Sequence, residues 1–258
     1  MDWWSIPQTK ISAPAESVDP FDFRRRSCPA SKIAGTIGIG EKHPPAVLAH
    51  ASHSLEQVQE IVQEIARIQS VSKDAPIEGL ILDFKDTDQR PFLETLRDSL
   101  IGAVPFIVVA NYVTEESPPK YREDSPPLVW LSTTDWENPN DLENFLRDCE
   151  ESKCVPALSF RAKPIAPEIA QLLRHASTPP IITLMPEEGT HSVTGHRILA
   201  SILDQHELTL PIWIRNRDQG RLFPKDDSFS ARLLDSSILS GSLLCDGIGD
   251  LISVENAG

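Results

Sequence analysis

GLILDF, residues 79–84, is apolar almost without a break, and that pattern bears directly on the kind of sheet this chain builds. A strand with one wet face alternates apolar and polar residues. This run is apolar throughout except for Asp83, as expected of a parallel strand covered on both faces. Asp83 then stands near the strand's C-terminal end. Seven further runs share its length and character: AVLA at 46–49, PFIVVA at 105–110, LVWLS at 128–132, VPALSF at 155–160, PIITLM at 180–185, LPIWIR at 210–215 and SLLCDG at 242–247. The spacing gives eight strands.

Helical patterns fill most of the intervals. SLEQVQEIVQEIARIQ, from Ser54, places Leu55, Val58, Ile61, Val62, Ile65 and Ile68 along one stripe, with Ser54 and Gln57 as a capping box. NPNDLENFLRDC offers Asn138 as cap and Pro139 at the first helical position. Further helices are expected at about 89–100, 165–176, 190–205 and 228–240, the last capped by Ser228. One interval differs. TEESPPKYREDSPP, 114–127, carries paired prolines and acids that exclude a full helix. The fold class is therefore α/β, a (β/α)8 barrel degenerate at its third crossover. An open doubly wound sheet is the rival, since periodicity alone does not show closure. Residues 1–31 read as an extended lead-in and 32–258 as a single barrel domain.

Composition narrows the function. The chain has 258 residues and a net charge of -14, with 24 basic against 38 acidic side chains. That balance disfavours nucleic acid or an anionic membrane as partner. No apolar run reaches the ~18 residues of a membrane span, and the start MDWWSIPQTK lacks the pattern of a signal peptide. The expected address is the cytoplasm. Cys28, Cys149, Cys154 and Cys245 are too scattered for a disulfide framework. The C-x4-C pair, Cys149 and Cys154, lacks the third cysteine of an iron–sulfur pattern. GTIGIG, with Gly35, Gly38 and Gly40, precedes a strand and so fails as a dinucleotide fingerprint.

In a barrel, chemistry gathers where strands end. The residues found there are His50, His53, Asp83, Lys85, Asp86, Asn111, Arg161, Lys163, Glu187, Glu188, Arg215, Asp246 and Asp250. Within this set His50, Asp83 and Asp246 are the candidate ligands for a divalent metal, on an alternative reading of the chain as a self-contained metal-dependent barrel enzyme. Polar residues also collect at strand ends because the chain emerges there into water. A third reading is a stand-alone scaffold binding a protein partner.

The chain's two ends resemble a known family. GSLLCDGIGDLISVE, through Gly241, Leu243, Leu244, Asp246, Gly247, Gly249 and Asp250, is similar to the end of the insert domain in the large form of 4-hydroxy-3-methylbut-2-enyl diphosphate synthase, of the non-mevalonate isoprenoid pathway. DPFDFRRR and IGIGEKHPPAVLAHAS, through Arg24, Arg25, Gly38, Pro44 and Pro45, resemble its entry segment. The resemblance implies a non-catalytic spacer in an oxidoreductase. Its partners would be a flanking catalytic barrel and a domain holding a [4Fe–4S] cluster, with no cofactor in this chain. It also implies that Asp246 to Asp250 form the exit from the barrel into a linker.

Overall fold

The computed structural model describes residues 24–33, 37–71, 77–113, 116–187, 191–217 and 228–255. Two short strands, β1 (Ser31–Ile33) and β2 (Ile37–Ile39), form an antiparallel pair. The chain then alternates: β3 (Ala46–His50), α1 (Val58–Val71), β4 (Gly79–Phe84), α2 (Arg90–Ser99), β5 (Ile107–Asn111), β6 (Leu128–Ser132), α3 (Pro139–Glu151), β7 (Val155–Phe160), α4 (Pro167–His175), β8 (Ile181–Leu184), α5 (Ser192–Gln205), β9 (Ile212–Asn216), α6 (Phe229–Cys245) and β10 (Leu251–Val254). Strands β3 to β10 close into an all-parallel barrel, with β10 paired to both β3 and β9. Closure excludes the open sheet.

Strand alternation sorts the core into two layers. Leu80, Leu82, Phe84, Val109, Trp130, Leu158, Ile182, Ile212 and Ile214 pack outward against the helices. Ala46, Leu48, Ile81, Phe106, Val108, Val129, Ala157, Ile181, Trp213 and Leu251 fill the interior, where Ile33 and Ile39 of the β1–β2 pair join them. The pair thus plugs the end at which the strands begin. Both faces of most strands are buried, which is why their runs are unbroken. The β10–β3 seam differs. Val47 and Val254 are exposed on its outer face, and no described helix follows β10.

The third crossover has no helix among its described residues, 116–127. It is pinned to α2 instead. Arg97 donates to Ser125 Oγ at 2.9 Å, Arg90 pairs with Glu116 at 2.5 Å, and Arg122 pairs with Asp98 at 2.6 Å.

The eighth strand is not where the sequence placed it. SLLCDG, 242–247, is the last turn of α6 and its cap, and the eighth barrel strand is Leu251–Val254. Ala231, Leu239 and Leu243 are buried at multiples of four residues, a helical stripe. The turn after it closes as a paired-bond C-cap: Gly247 N donates to the Leu244 carbonyl and Ile248 N to the Leu243 carbonyl, with Gly247 at φ +75°. Of the lead-in expected at 1–31, the described part runs from residue 24 to β1 and is held under the barrel by Arg26 N, which donates to the Gly247 carbonyl at 2.8 Å. Residues 1–23 lie outside the described set.

Candidate active site at the barrel mouth

The interior changes character toward the C-terminal ends of the strands. Two residues beyond the last apolar interior position on seven of the eight barrel strands, the same inward parity brings up His50 on β3, Asp83 on β4, Tyr112 after β5, Ser159 on β7, Thr183 on β8, Arg215 on β9 and Ser253 on β10. Arg217 and Glu255 extend the parity one step further. A polar layer therefore lies on an apolar one, at the end of the barrel where loops converge.

Two ionic groups organise this layer. In the first, His50 Nε2 lies 3.4 Å from Asp83 Oδ1, and Lys85 Nζ lies 3.7 Å from Asp83 Oδ2. Burial pushes the Asp83 carboxyl up. The His50 contact and the charges of Lys85 and Arg215 outweigh it and hold the carboxyl below its ordinary range. Asp83 is thus a carboxylate at neutral pH. His50 Nδ1 and Asp83 Oδ1 are both buried and neither has a hydrogen-bond partner among the described residues, so the 3.4 Å approach of His50 to Asp83 is an ionic contact and not a formed hydrogen bond.

The second group centres on Glu255. Arg215 grips it with two parallel hydrogen bonds, Nε to Oε1 at 2.7 Å and Nη2 to Oε2 at 2.5 Å, both residues being buried. Ser253 Oγ donates to the same carboxylate at 2.7 Å and itself accepts from Trp213 Nε1 at 3.0 Å. Arg217 Nε stands 3.7 Å from Glu255, and its Nη2 donates to the Tyr112 hydroxyl at 2.8 Å. Burial pushes Glu255 up, but the Arg215 charge and hydrogen bonds pull it below its ordinary value.

The candidates read from the strand ends divide sharply. His50, Asp83 and Lys85 come together as one group, and Arg215 joins the second. Arg161 and Lys163 sit on the rim, paired with Asp135 at 3.0 and 3.1 Å; Arg161 also approaches Glu187 and Lys163 also reaches Glu137. Asn111 bonds to the backbone of Val113, and Asp86 caps the turn before α2. His53 is exposed, and Glu188 lies outside the described residues.

The metal trio does not assemble. Asp246 caps the C-terminus of α6 and pairs with Arg197 at 2.6 Å, at the opposite end of the barrel from His50 and Asp83. No group of three metal-binding side chains is found among the described residues. The four cysteines are likewise dispersed: Cys28 lies under the barrel, its thiol pushed up to about 12 chiefly by burial, Cys149 and Cys154 sit together between α3 and β7, and Cys245 is exposed. Reading the strand ends misses Tyr112, Arg217, Ser253 and Glu255. The last two belong to the true eighth run, LISV, and its continuation, which the misplaced strand hides.

The residues that carry the family resemblance form the barrel's base. Arg25 donates to Asp250 Oδ1 at 3.0 Å and to the carbonyls of Gly249 and His43. Asp250 Oδ2 accepts from Ile212 N at 2.9 Å, and its carbonyl accepts from Ala46 N at 2.9 Å. Arg24 lies with its carbonyl against Gly247. Asp246 to Asp250 thus lead from a helix into the last barrel strand. They are not an exit toward a linker.

No helix among the described residues is long and apolar enough to cross a membrane. No family model matches the chain. Solved structures of similar fold include a truncated 3-deoxy-D-arabino-heptulosonate 7-phosphate synthase from Thermotoga maritima, with TM-score 0.58 and 15% identity over 88% of this chain and 80% of that one. A dihydropteroate synthase from Xanthomonas albilineans, in complex with 7,8-dihydropteroate, gives 0.56 and 15% over 88% and 92%. The dihydropteroate synthase from Anaplasma phagocytophilum with bound 6-hydroxymethylpterin-monophosphate gives 0.53 and 7% over 81% and 92%. At these identities the likeness is one of fold. It nonetheless overturns the insert-domain assignment, because the barrels matched are synthases spanned over 80% or more of their own length. The isoprenoid role, the iron–sulfur parent oxidoreductase and the flanking-domain partners fall with that assignment. What this chain resembles, in fold, is a set of barrel synthases.

Proposed function

We propose that this chain is a self-contained barrel enzyme that acts on a small polar substrate at the C-terminal mouth, with His50 and Asp83 as its proton-transfer pair. The observation that carries the reading is the His50–Asp83 contact at 3.4 Å, set inward at the end of the barrel and joined to a layer of buried charges. With Asp83 ionised, its contact favours the tautomer that carries hydrogen on Nε2. The lone pair then falls on Nδ1, the nitrogen without a partner among the described residues. Proton uptake there yields an imidazolium that the Asp83 carboxylate stabilises, the division of labour found in His–carboxylate catalysis. The similar barrels are synthases by name, which supports the class of protein and leaves the substrate open. The proposal keeps the cytoplasmic address drawn from the sequence.

The test is turnover. The purified chain is incubated with a panel of small organic acids and phosphate esters, and substrate depletion is followed by mass spectrometry. Turnover of at least one compound is expected, reduced about 100-fold or more in His50→Gln and Asp83→Asn. Turnover unchanged in both variants, or none across the panel with the protein folded, would count against the proposal.

A further inference from the structure

We infer that the substrate enters the mouth by an oxyanion group, seated against Arg217 and Tyr112. The inference rests on the mouth being the active site and adds the chemistry of what it takes. Its first ground is charge. On the contiguous arc β9, β10, β3 and β4, three cations, Arg215, Arg217 and Lys85, face two carboxylates, Asp83 and Glu255. At the ends of β9 and β10 the two arginines share one carboxylate, Glu255. Lys85 is also within electrostatic reach of Glu56, and on the rim Arg161 and Lys163 pair with Asp135, Glu137 and Glu187. A guanidinium that shares its carboxylate with a second arginine attracts anions locally, in a chain of net charge -14.

The second ground is donor geometry. Arg215 spends both arms of its guanidinium on Glu255 and lies over the Trp213 ring at 4.8 Å, so it is committed to the barrel wall. Arg217 is not. It stands 3.7 Å from Glu255 without a hydrogen bond to it, donates among the described residues to Tyr112 Oη, whose ring it also overlies at 5.8 Å, and its side chain is 28% exposed. The Tyr112 hydroxyl accepts from Arg217 and also borders Arg215, so its own hydrogen has no acceptor among the described residues and can be donated to a ligand. A guanidinium edge beside a phenolic donor is a seat for phosphate or carboxylate oxygens. An entering anion would take the place at Arg217 that Glu255, already holding three hydrogen bonds, fills poorly.

The experiment measures melting temperature and titration calorimetry with inorganic phosphate and, in a separate arm, succinate, at matched ionic strength. Saturable binding of at least one is expected, weakened tenfold or more in Arg217→Gln and severalfold in Tyr112→Phe, and retained in His50→Gln. The arm that responds identifies the oxyanion as phosphate or carboxylate. Tyr112→Phe removes a single hydroxyl, so it keeps the test sound if Arg217→Gln fails to fold. Absence of saturable binding in both arms, or binding that is equal in both variants, overturns the inference. The two readings separate cleanly: Arg217-dependent anion binding with turnover indifferent to His50→Gln would sink the proton-transfer pair and leave the seat, and the reverse result would do the opposite.

Discussion

Asp246 and Gly247 show how one residue's backbone settles what its side chain is for. Both belong to a stretch that reads, along the sequence, as a strand end, with Asp246 a candidate ligand. Gly247 has φ +75°, and a Cβ there would stand 2.2 Å from the Arg24 carbonyl oxygen. The glycine therefore ends α6, fixes Asp246 as the cap and lets the chain at Arg24 lie underneath. Gly102 supplies a control, with φ +71° and nothing within 4 Å of where a Cβ would sit. Gly102→Ala is expected to lose about 1 kcal/mol, the left-handed backbone cost alone. Gly247→Ala should lose roughly twice that or more, because strain and crowding add. Urea unfolding of the two variants checks the difference; equal losses would show that the approach of Arg24 contributes nothing.

At the scale of elements, capping and proline placement work as sequence signals where hydrophobic runs do not. Asn138 Oδ1 accepts from Asn140 N at 3.1 Å, with Pro139 at the first position of α3, as the residue types require. Asn138→Ala should cost about 1 kcal/mol, and Asn138→Ser should restore most of it in denaturant titrations. The paired prolines keep the described part of the third crossover free of helix. Its attachment to α2 through Arg90, Arg97 and Arg122 is a tertiary matter, since these arginines lie up to 28 residues from their partners in sequence. The run at 242–247 fails for the opposite reason. Leu243 and Leu244 are equally suited to a buried strand and to the buried face of a helix.

For the whole molecule, stability should follow two stages of protonation. His196 is buried on α5, donating from Nδ1 to the Ser192 carbonyl at 2.8 Å, and burial holds its imidazole below the ordinary 6.5. The unfolded chain then binds the proton more readily than the folded one. The His196 contribution is complete above about pH 6.5 and is lost as the pH falls below it. Asp83 and Glu255 are also depressed, from 3.8 and 4.5, so theirs is complete above those values and is lost at still lower pH. Asp250 works the other way: burial raises its carboxyl despite Arg25, and acid relieves that cost. Melting temperature against pH should show a plateau above about 6.5, a first decline below it and a second below about 4.5. His196→Gln should abolish the first decline and keep the second. A single decline confined to acid pH in the unaltered protein would contradict the assignment.

Local chemistry in the sequence determined the strand and helix alternation, the helix starts at Asn138 and Ser228, the proline-broken third crossover and seven of the eight barrel strands. Each depends on neighbours a few residues apart. The sequence also placed His50, Asp83 and Arg215 at strand ends, because inward parity at a strand's close is itself local. Closure, the eighth strand and the partners at the mouth were decided only by tertiary structure. Glu255 meets Arg215 across 40 residues and Tyr112 meets Arg217 across 105, and Asp246 parts from His50 because a helix end and a strand end lie at opposite poles of the barrel. Such pairings follow from which strands become neighbours when the sheet closes, and no periodicity along the chain records that.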